Sequence, residues 1–166
     1  MISDDAYRKV LAKLQLLCSK REYCSRDIYR KALAAAEGDT EAAEKLLESL
    51  KADRFVDDGR YAGAFARDKA SISGWGRHKI SSALLAKGID RKAIEEAMQT
   101  VDGDKADSRL EKLLTVKWKT LCEDPQGKFK LLRYALSRGY DYELIRPLVE
   151  SIVSGELRDG EESDDI

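Results

Sequence analysis

The stretch Ser73-Gly74-Trp75-Gly76-Arg77-His78-Lys79 concentrates residue types that proteins put to chemical use: glycines, an aromatic ring, a histidine and cations. The glycines could let a backbone approach a phosphate. A phosphate cradle needs more than that: a preceding strand, a third glycine or a Gly-Lys-Ser/Thr ending, and a helix opening behind it. No strand pattern precedes Gly74, and neither ending is present. Gly74-Trp75-Gly76 therefore reads as a linker between helices, with Trp75 packed onto its module and partly exposed to a partner. His78 is the one histidine, and no Ser, Cys or carboxylate stands beside it in a known nucleophile–base signature. A solvated or phosphate-facing histidine near a helix start fits it better. Asp57-Asp58 could be a catalytic carboxylate pair, but a helix cap followed by a first-turn acid explains both. Cys18, Cys24 and Cys122 are odd in number and form no Cys-x-x-Cys, which points to free thiols in a reducing compartment. They make no familiar metal spacing with His78. No catalytic, cofactor-binding or metal-ligating set emerges, and the expectation is a protein without enzymatic activity.

The basic residues carry more. Arg67, Lys69, Arg77, His78 and Lys79 surround the Gly-Trp-Gly loop, and Lys128, Lys130, Arg133 and Arg138 occupy a similar place further along. Ordinary solubilising charge accounts for such clusters as well as a surface facing phosphate or an acidic protein does. The net charge of −1 conceals an uneven distribution. Arg54 to Met98 holds nine Lys/Arg against six Asp/Glu, and Lys105 to Arg146 holds ten against six. Ser154 to Ile166 holds one Arg against six acids, and reads as a flexible acidic tail with too few apolar residues to pack.

The elements that position these groups are helices. The chain has 166 residues, 43% hydrophobic and 37% charged, with two prolines and little β-branched content, a balance that favours an all-α fold. Apolar residues recur at three- and four-residue spacing almost throughout. Ser25, Asp57, Asp90 and Asp141 read as N-caps. Val56–Tyr61 and Ile89–Ile94 read as hydrophobic staples, Gly88 as a left-handed C-terminal residue, and Pro125 as a first helical residue. Pro147 falls inside the last helical pattern, where it implies a bend or a late start. No stretch has the length and apolarity of a secretory signal or membrane span, so a cytoplasmic protein is expected.

An internal repeat organises these helices. "HKISSALLAKGIDRKAIEEAM" aligns with "FKLLRYALSRGYDYELIRPLV": Ile80 with Leu131, Leu85 with Leu136, Gly88 with Gly139, Asp90 with Asp141, Ile94 with Ile145. A weaker copy starts at Ser25, with its turn two residues late at Gly38-Asp39. Each copy follows another helix. The reading is a tandem array of three three-helix units, elongated and curved, at 1–53, 54–101 and 102–153, with the acidic tail at 154–166. Such arrays offer long surfaces rather than deep pockets, which favours a binding protein.

The stretch "DRFVDDGRYAGAFARDKASISGWGRHKISSALLAKGID" resembles the central signature of the RecX regulatory family. The residues that carry the likeness are Phe55, Asp57, Asp58, Arg60, Tyr61, Phe65, Trp75, Gly76, Arg77, Ile80, Lys87, Gly88 and Ile89. "REYCSRDIYRKAL" and "KLLRYALSRGYDYELI" are similar to the family's first and third repeats. The resemblance implies tandem three-helix units that lodge along the RecA filament on single-stranded DNA. It implies restraint of RecA's ATP hydrolysis, strand exchange and co-protease activities, in recombination, repair and the SOS response. It implies no cofactor. The candidate partner- or phosphate-facing residues are Arg60, Arg67, Lys69, Arg77 and Lys79 at the signature, then Lys128, Arg133 and Arg138, with Arg60 equally readable as a structural arginine pairing with Asp57 or a neighbouring unit. A monomer with weak direct DNA contact is expected. The alternative is a stand-alone DNA-binding protein acting through its basic helical hairpins.

Overall fold

The computed structural model describes residues 1–155; most of the expected acidic tail lies outside them. Nine helices and no strand are present among the described residues. They are α1 (Asp4–Lys20), α2 (Ser25–Ala35), α3 (Thr40–Ala52), α4 (Asp58–Ser71), α5 (Arg77–Ala86), α6 (Arg91–Gln99), α7 (Gly103–Leu121), α8 (Gly127–Ser137) and α9 (Tyr142–Ser154). The all-α reading holds, and the fold is a helical repeat. By its contacts the chain divides into two compact units. The first comprises Met1–Ala66 with Ala83–Thr100, the second Arg67–Ser82 with Val101–Ile166.

In the first unit α1, α2 and α3 pack on one another. Their shared core holds Leu14, Tyr23, Ile28, Ala32, Leu46, Leu50 and Val56. Ile28 and Ala32 are four apart, as are Leu46 and Leu50, so each pair stacks on one face of its helix. In the second unit α7, α8 and α9 do the same around Leu110, Leu114, Trp118, Leu131, Ala135, Ile145 and Val149. Each of these stripes buries about 1.5–3 kcal/mol per large side chain, which is what holds short helices that would fray alone.

The ends of the helices follow local chemistry, with three corrections. Asp57 caps α4 as expected, its Oδ1 accepting from the Arg60 N–H at 3.0 Å, and Asp90 caps α6 by accepting from the Ala93 N–H at 2.8 Å. Gly38, Gly88 and Gly139 all have positive φ, at 86°, 81° and 94°, so the late turn of the first copy is real. Ser25, however, is the first residue inside α2, and Cys24 holds the cap position without a side-chain bond. The cap comes from another helix: Asp58 Oδ1 accepts the Ser25 N–H at 2.7 Å. Pro125 is not helical either. Asp124 to Gly127 forms a turn closed by the Gly127 N–H to Asp124 carbonyl bond at 2.9 Å, with proline at its second position where φ is already set. Finally, α9 starts on time at Tyr142 and runs through Pro147, which excludes the late start.

Candidate functional site

The residues around the Gly-Trp-Gly loop come together in the second unit. The loop is locked onto the turn between α8 and α9 by backbone bonds. The Gly76 N–H donates to the Arg138 carbonyl at 2.6 Å, and the His78 N–H donates to the Gly139 carbonyl at 3.1 Å. The second bond satisfies a first-turn N–H of α5 that has no partner within its own helix. The Arg138 guanidinium donates to the Ser73 carbonyl, Tyr140 Oη to the Gly74 carbonyl at 3.3 Å, and Arg109 Nε to the Ile72 carbonyl at 2.7 Å. The approach requires glycine on both sides. A Cβ on Gly76 would sit 2.5 Å from the Gly139 carbonyl group, and one on Gly139 would sit 2.5 Å from Lys79 Cβ. The glycines thus punctuate helices and also let two backbones touch, a second role the single-loop reading did not contain.

This clasp presents Trp75. Its backbone N–H donates to the Lys69 carbonyl at 2.8 Å, and its half-buried ring carries two cations. Lys69 Nζ lies 4.6 Å and Lys79 Nζ 4.5 Å from the ring centroid, close enough for cation–π attraction to both. Arg67 and Arg77 are exposed in the same unit. His78 is exposed and its Nε2 lies 2.5 Å from Asp141 Oδ1. That contact takes the Asp141 side chain away from capping α9, where it makes no cap bond.

The other candidates go elsewhere. Arg60 lies in the first unit, where Nε donates to Glu22 Oε1 at 2.6 Å and the guanidinium to the carbonyls of Arg54 and Phe55. Only its backbone N–H meets Asp57. Arg138 is turned inward toward Ser73, with its Nε buried. Lys128 and Arg133 are exposed on α8, Lys128 Nζ at 4.0 Å from Glu150 and Arg133 over the Phe129 ring at 5.9 Å. The sequence reading passed over Phe129 and Arg109. Phe129 falls two positions off the α8 core stripe of Gly127, Leu131 and Ala135, and that misfit was its signal; Arg109 carried none.

Charge separates the two units. The first holds fifteen basic and fifteen acidic residues, whereas the described part of the second holds fourteen basic against ten acidic. The excess of +4 therefore belongs to the unit that carries Trp75. Burial pushes the Tyr140 phenol beneath the loop up to about 12. Among the described residues no cluster of three or more His, Cys, Asp or Glu could hold a metal, and no helix is long and apolar enough to cross a membrane. The surface depressions are shallow, and the arrangement suits binding of an extended partner.

Comparison with known proteins gives the family. A family model described as "RecX, second three-helix domain" matches residues 57–98. The Regulatory protein RecX of Clostridium botulinum (strain Eklund 17B / Type B) is 33% identical over 125 residues, covering 73% of this chain and 58% of the relative. The chain belongs to the RecX family. A second family member, from Clostridium tetani (strain Massachusetts / E88), is 26% identical over 154 residues, covering 90% of this chain and 70% of the relative. The chain thus spans between about three-fifths and seven-tenths of these relatives' length. Two solved structures share the fold. A crystal structure of a regulatory protein RecX superposes with a TM-score of 0.70 at 18% identity, over 88% of this chain and 72% of that one. RecX from Lactobacillus salivarius gives 0.67 at 16% identity, over 90% of this chain and 98% of that one. The matched segment 57–98 contains Arg60, Arg67, Lys69, Trp75, Arg77 and Lys79.

Proposed function

We propose that the chain is a non-catalytic regulator that binds the RecA filament on single-stranded DNA and restrains its ATP hydrolysis, strand exchange and co-protease activities. The observation that carries this reading is family membership, with the family match falling on the segment that holds the cationic Trp75 loop. Shallow surfaces and the positive charge of the second unit support a binder of a long, negatively charged assembly. In this reading the three three-helix segments, 1–53, 54–101 and 102–153, are successive contact modules. Arg67, Lys69, Arg77 and Lys79 face the filament, with Lys128 and Arg133 as an outer contact, while Arg60 and Arg138 hold the scaffold. The chain acts as a cytoplasmic monomer without a cofactor.

The test is titration of RecA's single-stranded-DNA-dependent ATP hydrolysis with this chain, beside direct DNA binding without RecA. Hydrolysis should fall at concentrations where the chain alone does not bind DNA. Binding to bare DNA with unchanged hydrolysis would instead mark a stand-alone DNA-binding protein. Arg77→Glu with Lys79→Glu should weaken inhibition and leave helix content unchanged. Full inhibition by that double variant removes this surface from the contact.

A further inference from the structure

Helix α8 carries Lys128, Lys130 and Arg133, with Arg138 at its C-cap, and no acidic residue. Two of the four are spoken for: Lys130 pairs with Asp124 at 2.5 Å, and Arg138 turns inward to Ser73. Lys128 has only the long contact to Glu150 at 4.0 Å, and Arg133 has no carboxylate partner among the described residues. Between these cations lies apolar surface. Phe129 is 58% and Leu136 38% exposed, and half-buried Leu132 lies between them. Their spacing of three and then four residues puts all three on one face of the helix. A shallow cavity of about 560 Å³ opens beside them, lined by Pro125, Gln126, Lys128, Phe129 and Leu132. The core of α8 is on Leu131 and Ala135, and Leu132 packs against its edge; Phe129 and Leu136 lie outside that core and are exposed.

We propose that this face of α8 docks an acidic, apolar-anchored segment of a protein partner. One apolar side chain of that segment seats on Phe129 and Leu132, and flanking carboxylates meet Lys128 and Arg133. Charge complementarity selects the occupant. The face offers Arg133, which has no carboxylate partner among the described residues, and Lys128, which has only the long contact to Glu150, around an apolar step, and an exposed apolar patch rimmed by charge marks a protein contact. A nucleic-acid strand would use the cations and Phe129 but leave Leu132 and Leu136 in contact with sugar and water. The Arg133 guanidinium already lies over the Phe129 ring, which holds it ready for a carboxylate without ordering a long side chain on binding.

The proposal rests on the reading of this chain as a partner-binding regulator, and two assays separate the two. In the first, the full chain is titrated into a labelled amphipathic peptide of leucine and glutamate, a scrambled peptide of the same composition, and an oligothymidylate. The amphipathic peptide should bind about tenfold more tightly than the scrambled one, and Phe129→Ala and Arg133→Glu should each lose about tenfold. Both residues are exposed, and circular dichroism verifies that the variants fold. Equal binding of the two peptides, unchanged affinity in the variants, or displacement of the peptide by oligothymidylate overturns the proposal. So does concentration-dependent self-association that Phe129→Ala abolishes, since a second copy would then be the occupant. In the second assay, the same variants are compared in RecA ATP hydrolysis. Wild-type inhibition that Phe129→Ala and Arg133→Glu both retain in full overturns the docking face alone. No inhibition by the wild type overturns the RecA reading, while peptide binding that both variants weaken still supports the face.

Discussion

At the scale of single residues, the least replaceable positions are the two glycines of the clasp. Gly139 combines a φ of 94° with a Cβ position 2.5 Å from Lys79. Gly139→Ala should cost about 2–4 kcal/mol in urea unfolding, from backbone strain and overpacking together. Gly103 is the internal control. It has ordinary backbone angles and open space around it, so Gly103→Ala should be neutral or stabilising by up to about 1 kcal/mol. Tyr140 supplies a spectroscopic check. Its phenol, raised to about 12, keeps its proton in the folded chain at a pH where an unfolded tyrosine, with a value of about 10, has lost it. The stability it contributes is therefore complete below pH ~10 and is lost as pH rises toward 12. Burial raises the Tyr61 phenol as well, so absorbance titration of phenolate should show a late component, of which the part near 12 disappears in Tyr140→Phe. Neither result could be expected from the sequence. Gly76 and Gly139 each read correctly as punctuation, but that they touch depends on residues 63 positions apart meeting in space, and no local pattern encodes that.

At the scale of elements, the caps divide what is legible from what is not. Asp57 and Asp90 are readable because cap and acceptor lie three residues apart, within one turn. Asp58 reads as a first-turn acid of α4, whereas its carboxylate caps α2 from a sequence separation of 33. Asp58→Ala should cost about 1 kcal/mol, the usual loss for a cap, and Asp58→Asn should restore much of it. The same end of α2 is held by a second carboxylate, Asp27, paired with Lys87 at 2.8 Å. The Lys87 hydrogen bond holds the Asp27 carboxyl below its ordinary range, and the Asp27 bond holds the Lys87 ammonium above its own. The Asp27 contribution is therefore present above the unfolded carboxylate value of about 3.9 and is lost as pH falls through the lower folded value. The Lys87 contribution is present below about 10.4 and is lost as pH rises through the higher folded value. Asp27→Asn should flatten both limbs of the stability–pH curve. Lys87 was readable from the Lys-Gly-Ile signature as a position, but not as a strut, because its partner sits in another helix.

At the scale of the whole molecule, near-neutrality is a balance of regions. The first unit is neutral, the described part of the second is +4, and residues 156–166, outside the described structure, contribute six acids and one arginine. If that segment offsets the basic unit, a chain ending at Gly155 should bind a polyanion such as heparin more tightly, with a steeper salt dependence. Identical elution from heparin before and after truncation would separate the segment from binding. The repeat itself was legible because the second and third copies carry the same glycine and aspartate at the same offset from their apolar stripes, Gly88-Asp90 and Gly139-Asp141, while the first turns two residues later at Gly38-Asp39. The division into compact units was not, because α4 and α5 each contribute to both units and periodicity reports faces, not neighbours. Trp75 adds a practical property to this architecture. The protein has two indoles, and they differ in surroundings: Trp118 is buried in an apolar core, while Trp75 lies half in water with an ammonium group on each of two approaches. An ammonium proton quenches an excited indole. A polyanion that draws Lys69 or Lys79 off the ring should therefore brighten Trp75 emission and leave Trp118 as a constant reference. The chain carries its own unlabelled optical gauge of engagement, placed on the loop whose contacts are in question.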